Sequence, residues 1–340
     1  MATNPKLNVG DPPPRVLVFS GGGVQGFAFA GALEALHEAW GWDFGLRTPS
    51  LQSVAGVSAG ALIALLIGLG YSLSELMQLV GALDTGRLFS PNPAMMLSGW
   101  RGFDGGDALR DLLASLIRAK VTSHAATTLT FSQLFDATGV RLCVGTVDVE
   151  RCCVVYLGTE TDPHVPVLNA VLASMALPPL FSPVRLDDGR LLADGGLLDN
   201  FPIHLFPSSA VMGFRVAATR GNEDTETAYG YMMRIARITT IPMDELQWAC
   251  VPEAYKQRTV VFRIKEISAT NFAIEQAAVQ QIIRRGRDIM AAAVLAWKDG
   301  EKPADEEVGA STWVLGLPPI LRRWFTPIQT HNATPPLAPL

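Results

Sequence analysis

Histidine is scarce in this chain, with five among 340 residues: His37, His124, His164, His204 and His331. Cysteine is scarcer, at four. Cys143, Cys152, Cys153 and Cys250 form no C-x-x-C pair, which disfavours a zinc site or redox dithiol, and no metal ligand set is expected. Cys152 and Cys153 are expected side by side in a strand, facing opposite ways. A reducing, cytoplasmic compartment is the natural setting. Charged residues make up only 17% of the chain and the net charge is -5. With no cluster of Lys and Arg to offset that balance, the composition argues against a nucleic-acid partner.

Long apolar runs are missing too. Val54 to Gly70 is the most apolar stretch, but it is shorter than the roughly 20 residues of a membrane span and glycines interrupt it. A buried helix is expected there, with no transmembrane span. Met1 to Pro14 is polar and proline-rich, without the apolar core of a signal peptide, and is expected to be disordered. The sequon Asn332-Ala333-Thr334 carries no weight without a secretion signal. No dense acidic loop of the calcium-binding kind occurs, so calcium is not expected.

What the chain has is apolar mass, at 49% hydrophobic residues, enough for a large globular core. Apolar runs with strand character are expected at Arg15 to Ser20, Leu51 to Ala55, Arg141 to Val147, Cys152 to Leu157, Ser209 to Val216 and Thr259 to Ile264. Val184 to Leu186 and Arg190 to Leu192 flank the turn Asp187-Asp188-Gly189 and read as a hairpin. Helices are expected at Val24 to Trp40, after the elbow from Ala61, and at Asp107 to Lys120, Val165 to Ala176 and Phe272 to Trp297. Ser72-Leu73-Ser74-Glu75 and Thr130-Phe131-Ser132-Gln133 cap two more. Thr225 to about Trp248 reads as a helix interrupted at Pro242. This alternation predicts an α/β fold, a three-layer α/β/α sandwich around a largely parallel central sheet. The catalytic unit is expected over residues 15–298, with a helical and loop insertion at about 72–128 and a Pro- and Trp-containing tail over 299–340.

Three motifs carry chemistry. Gly56-Val57-Ser58-Ala59-Gly60 lies between an apolar strand and an apolar helix, the pattern of a nucleophile elbow. Gly56 and Gly60 are needed because a Cβ at either place would strike backbone in so tight a turn. Gly21-Gly22-Gly23-Val24-Gln25-Gly26 ends the first strand, where outward N–H groups stabilise negative charge on a phosphate or an acyl-transfer oxyanion. The same residues satisfy G-x-G-x-x-G, and Asp43 stands near the spacing of a ribose-binding acid. The rival is therefore a nucleotide-binding oxidoreductase using Gly21 to Gly26. Asp43 sits in a Gly-Trp-Asp-Phe-Gly turn, however, and the second strand runs into the serine elbow, which favours the oxyanion reading. The third motif, Asp194-Gly195-Gly196, follows a short apolar strand, and its glycines leave room beside the carboxylate.

Taken in order, Gly-Gly-Gly-x-x-Gly, Gly-x-Ser-x-Gly and Asp-Gly-Gly resemble the patatin-like phospholipases. Ala173-Ser174-Met175-Ala176-Leu177-Pro178-Pro179-Leu180-Phe181-Ser182-Pro183 is similar to the family's segment before the aspartate, and Asn200-Phe201-Pro202 to its Asn-x-Pro after it. The resemblance covers about Arg15 to Val216. It implies a lipid acyl hydrolase without a cofactor, a Ser58–Asp194 dyad, and an oxyanion loop of Gly21, Gly22 and Gly23, with Ala59 as a further donor. The substrate would be a lipid at a membrane or micelle surface, with the protein cytoplasmic or peripheral at membranes. The family usually has Arg or Lys where Gln25 stands here. That departure weakens the implied preference for phospholipid headgroups and keeps a non-phospholipid esterase or acylglycerol lipase in view. A binding module on a decayed hydrolase fold is a further alternative, as is a Ser–Asp–His triad through His204 or His331. Met95, Met96, Leu97, Trp100 and Phe103 form one candidate interfacial cluster. Trp313, Trp324 and Phe325, with Arg322 and Arg323, form another.

Overall fold

A computed structural model describes residues 14–42, 50–92, 94, 101–218, 225–265 and 267–299. Asp43, Met95, Met96, Leu97, Trp100, the first thirteen residues and the tail with Trp313, Arg322, Arg323, Trp324, Phe325 and His331 lie outside them.

Strand β1 (Val16–Phe19) leads through a 3-10 turn (Gly23–Phe27) into helix α1 (Ala28–Trp40). The expected helix start at Val24 is thus a tighter turn. It keeps the glycine segment and the first helical turn in different geometries. Strand β2 (Ser53–Val57) reaches two residues further than expected and ends at the elbow, where α2 (Ala59–Gly68) begins. Helix α3 (Leu73–Ala82) opens on the expected capping box, with Ser72 Oγ accepting from Glu75 N and the Glu75 carboxylate accepting from Ser72 N. Then come α4 (Asp107–Lys120) and α5 (Phe131–Thr138), the latter with a Thr130–Gln133 box. Strands β3 (Arg141–Asp148) and β4 (Cys153–Gly158) form a hairpin, and α6 (Val167–Ser174) follows. A second hairpin joins β5 (Val184–Arg185) to β6 (Leu191–Asp194). The chain closes with β7 (Val211–Val216), α7 (Ala228–Cys250), α8 (Glu253–Lys256), β8 (Thr259–Phe262) and α9 (Gln276–Lys298).

Two expectations are corrected. Cys152 is not in a strand: it sits in the β3–β4 turn at φ 53, and both it and Cys153 are exposed. Pro242 does not interrupt α7, which runs through it. Pro242 and Ile238 are both exposed, so the carbonyl that loses its N–H partner belongs to the solvent side of the helix, where such a loss is best tolerated.

The sheet order is β5-β6-β3-β2-β1-β7-β8, with β4 added on β3. Strands β3, β2, β1, β7 and β8 run parallel, while β4, β5 and β6 are antiparallel additions. The sheet is therefore mixed, with a parallel centre. Side chains alternate between its faces. Leu17, Phe19, Val54, Leu142 and Val144 face the larger core, where α1, α2 and α9 pack. Val16, Val18, Ala55 and Cys143 face a smaller one closed by Phe201, Ile203 and Trp248. Among the described residues no helix is long and apolar enough to cross a membrane.

The register along β3 positions the site. The first half of β3 pairs with β2, as far as Val57 opposite Gly145. Its second half pairs with β6, ending with Asp194 opposite Thr146. Strand β4 occupies the other edge of β3 over Cys143 to Asp148. So β2 and β6 meet tip to tip along one edge, and the residues at their tips are Ser58 and Asp194.

Candidate functional site

Ser58 caps α2 at φ 53 and ψ -125, a conformation that costs a non-glycine residue on the order of 1–3 kcal/mol. The surroundings impose it. A Cβ on Gly56 would overlap the Gly60 carbonyl, and one on Gly60 would overlap the carbonyls of Phe19 and Ser20. The backbone can close this turn only with glycine at both places, as the motif predicts. The Ser58 N–H donates to Ser174 Oγ at 2.9 Å, and Ser174 Oγ donates to the Gly145 carbonyl at 2.6 Å. Buried Ser174 thereby ties the elbow to β3.

Asp194 is buried, with its Oδ1 accepting the Gly196 N–H at 2.8 Å. The Ser58 hydroxyl stands on the same cavity wall, near enough to the carboxylate to favour its charged form. Burial pushes the Asp194 carboxyl up to about 7, while the Ser58 hydroxyl and the Gly196 N–H pull the other way. Desolvation wins because it acts on the whole charge, whereas two neutral donors compensate only part of it.

The glycine loop lies beside this pair. Gly22 and Gly23 have N–H groups with no hydrogen-bond acceptor among the described residues. Gly21 differs from expectation: its N–H donates to the Asn200 carbonyl at 3.2 Å and is already engaged. It serves as a point of close approach, since a Cβ there would overlap Asn200 Oδ1. Gln25 is buried, and its Nε2 donates to the carbonyls of Ile264 at 2.7 Å and Ile267 at 2.6 Å. The amide thus anchors the loop to the backbone after β8.

Asn200 links several parts. Its Nδ2 donates to Asp244 Oδ1 at 3.2 Å, and Asp244 is in turn paired with buried Arg215, whose guanidinium stacks over Trp248 at 4.8 Å. The aspartate loop, the glycine loop and α7 are therefore joined by one buried polar chain. Sequence reasoning placed Ser174 and Asn200 in motifs without giving either a structural job. It missed Asp244 and Arg215 altogether, because no local pattern marks a partner contributed by a distant helix or strand.

Ser58, Asp194, Gly22 and Gly23 open into a cavity of about 230 Å³. Its wall is mostly apolar, with Leu62 and Leu66 of α2, Leu79 of α3, Leu112 and Leu116 of α4, and Met233 of α7, while Arg237, Thr240 and Asp244 of α7 are its polar part. Among the described residues no histidine lines it. His204 lies elsewhere, with its Nδ1 3.9 Å from Asp199 and its Nε2 3.4 Å from the Tyr156 hydroxyl. Phe103, expected as a possible exposed anchor, is buried, and its N–H donates to the Pro179 carbonyl. Among the described residues no cluster of His, Cys, Asp and Glu is placed to hold a metal. The arrangement offers a hydroxyl beside a basic carboxylate, uncommitted N–H donors, and an apolar volume suited to a hydrocarbon chain.

A family model described as patatin-like phospholipase matches residues 17–207. The uncharacterized protein YqhO of Bacillus subtilis (strain 168) is 31% identical over 285 residues, which is 79% of this chain and 94% of YqhO. A probable lipid hydrolase, 463L of Invertebrate iridescent virus 6, is 27% identical over 195 residues, covering 56% of this chain and 62% of the viral protein. The crystal structure of VipD from Legionella pneumophila superposes with a TM-score of 0.57 at 17% identity, over 88% of this chain and 72% of VipD, a likeness of fold.

Proposed function

The chain belongs to the patatin-like phospholipase family, and from that premise we propose that it is a lipid acyl hydrolase whose nucleophile is Ser58 and whose base is Asp194. The observation that carries this reading is that Ser58 and Asp194, at the abutting ends of β2 and β6, line one largely apolar cavity. Residues 15–298 form the catalytic unit in this reading, and the substrate is an ester-linked acyl lipid at a membrane or micelle surface.

Ser58 Oγ attacks the carbonyl carbon as its proton passes to an Asp194 oxygen. The carbonyl π electrons move onto oxygen, and the oxyanion is held by the N–H groups of Gly22 and Gly23, with Ala59 N–H at the start of α2. Collapse of the tetrahedral species breaks the bond to the alcohol, which leaves with the proton from Asp194. Water then attacks acyl-Ser58, gives its proton to the same carboxylate, and the fatty acid departs as Ser58 recovers its hydrogen. A base poised near neutrality suits this traffic. At an ordinary carboxylate value of 3.8 Asp194 would be a poor acceptor for a hydroxyl proton, and burial corrects that. Cleavage of phospholipid acyl esters is the specific activity proposed. Gln25 contributes to it only by fixing the loop, since its amide is engaged with backbone.

Labelling with a fluorophosphonate, alongside release of p-nitrophenol and of fatty acid from phospholipids and acylglycerols, tests the proposal. Labelling should occur on Ser58 and vanish in Ser58→Ala. Asp194→Asn should cut ester turnover by about 10²–10⁴-fold. Near wild-type turnover in Asp194→Asn, or modification of a different residue, would refute the dyad. Phospholipid left intact while acylglycerol is cleaved would refute the phospholipid assignment alone.

A further inference from the structure

Helix α7 has two sides of opposite use. On one side Met233, Arg237 and Asp244 are buried, and with Ala236, Thr240 and Ile241 they line the cavity that holds Ser58. On the other side, at every third or fourth position, stand Tyr231, Ile235, Ile238 and Pro242, the helical spacing of one ridge. Tyr231 is 57% exposed, Ile235 46% and Ile238 60%, with Met243 at the ridge margin. Of the six large hydrophobics exposed among the described residues, four fall on this helix. That concentration sets the ridge apart from the scattered exposed apolar residues of any protein surface. The exposed positions from Tyr231 to Met243 include no charged residue, and the only polar side chains among them are the Thr239 and Tyr231 hydroxyls.

We propose that this ridge is the surface by which the protein docks on lipid. The inference rests on reading the cavity as a lipid-ester site. The occupant is the interfacial zone of a bilayer, because the centre of the ridge is apolar apart from one aromatic hydroxyl, it backs directly onto the cavity read as a lipid-ester site, and the charged Arg234 and Glu245 stand only at its margins. The placement also fits the chemistry. The ridge and the cavity wall are two sides of one helix, about 10–12 Å apart, and the ridge from Tyr231 to Pro242 is about 16 Å long. A helix lying in the interface buries its apolar side about 5–10 Å deep. Docked that way, α7 brings the cavity to the level from which an acyl ester can be withdrawn. The buried contacts of Asp244 with Asn200 and Arg215 hold the same helix to the catalytic loops, so the docking element and the site move as one body.

Co-sedimentation of full-length Ser58→Ala protein with phosphatidylcholine vesicles tests the proposal, because this variant cannot consume the membrane. Ile235→Asp combined with Ile238→Asp in that background should lower the vesicle-bound to free ratio at least about tenfold. In the Ser58 protein the same pair should leave hydrolysis of dissolved p-nitrophenyl butyrate within about twofold of normal, since neither residue lines the cavity. Absence of vesicle binding by the parent, or binding unaffected by the two aspartates, would overturn the docking surface. So would a parent that sediments as a dimer and a ridge variant that sediments as a monomer, which would assign the ridge to a second copy of the chain. Failure of the hydrolase reading would show separately, as loss of butyrate hydrolysis and of labelling at Ser58, while the vesicle measurement stays readable.

Discussion

The floor and the wall of the cavity are built in contrasting ways. The floor consists of chain turns: the elbow at Ser58, the glycine loop, and the turn after Asp194. Its chemistry depends on backbone atoms brought within van der Waals contact of one another, so each position admits few residue types. The wall is made chiefly of aliphatic side chains from α2, α3 and α4, where any large aliphatic group fills the same role, and α7 adds Met233 beside the polar Arg237, Thr240 and Asp244. In the proposed reaction the floor, intolerant of substitution, would set which bond is attacked, and the more tolerant wall would set which acyl chain fits.

Breaking the floor should cost most. Gly56→Ala places a methyl group on the Gly60 carbonyl, a backbone atom that cannot swing aside. The expected loss is about 4 kcal/mol or more, read as a large fall in thermal midpoint or failure to fold. A Gly56→Ala protein within about 1 kcal/mol of the parent would mean the elbow is looser than described.

The next effect separates catalysis from stability within the floor. Asp194 must be a carboxylate to act as base, so kcat/KM for a dissolved ester should rise with pH through a midpoint of about 7 and level off above it. Stability should move the opposite way. The carboxyl is raised from 3.8 to about 7 in the folded state, so between those values the native protein holds a proton that the unfolded chain has lost. The Asp194 contribution to stability is then greatest below about pH 4, declines as pH climbs to about 7, and is flat above. At 1.36 kcal/mol per pKa unit the decline is of the order of 4 kcal/mol. Asp194→Asn removes the charge, so it should be more stable than the parent at pH 8 while nearly inactive. Denaturant unfolding at pH 5 and pH 8 checks this: a parent equally stable at both would show that the Asp194 carboxyl is not held high by burial.

The wall should give the smallest effect. Leu112→Trp narrows the cavity without touching the polar groups. Turnover of a butyrate ester should change little, while kcat/KM for a palmitate ester falls about tenfold or more, each excluded methylene forfeiting about 0.8 kcal/mol. An equal fall for both chain lengths would show that the wall also positions the floor.

Much of the floor could be read from the chain, because a tight turn demands glycine at defined spacing and leaves a pattern. Ser58, Gly56, Gly60 and Asp194 were legible for that reason. Gly21 shows the limit of such reading. It was expected to present an N–H to the oxyanion, yet Asn200, far along the chain, accepts that hydrogen. The strands and capped helices were equally plain, since capping boxes at Ser72 and Thr130 are local devices. Pro242 was misread because a local rule took no account of which side of α7 faces solvent. The wall left no signature, as leucines lining a cavity are indistinguishable in sequence from leucines in a core.

Sequence by itself determined the turn chemistry, the alternation of strands and helices, and the presence of a serine and an aspartate in glycine-rich turns. Only the tertiary structure decided that they meet. Strand β3 accepts β2 on its first half and β6 on its second, so two strand ends distant in the chain abut along one edge. Hydrogen-bond register is a relation between strands, and no single segment encodes it. The upward push on the Asp194 carboxyl belongs to the same level, because burial is produced by everything packed around a group and not by its neighbours in sequence.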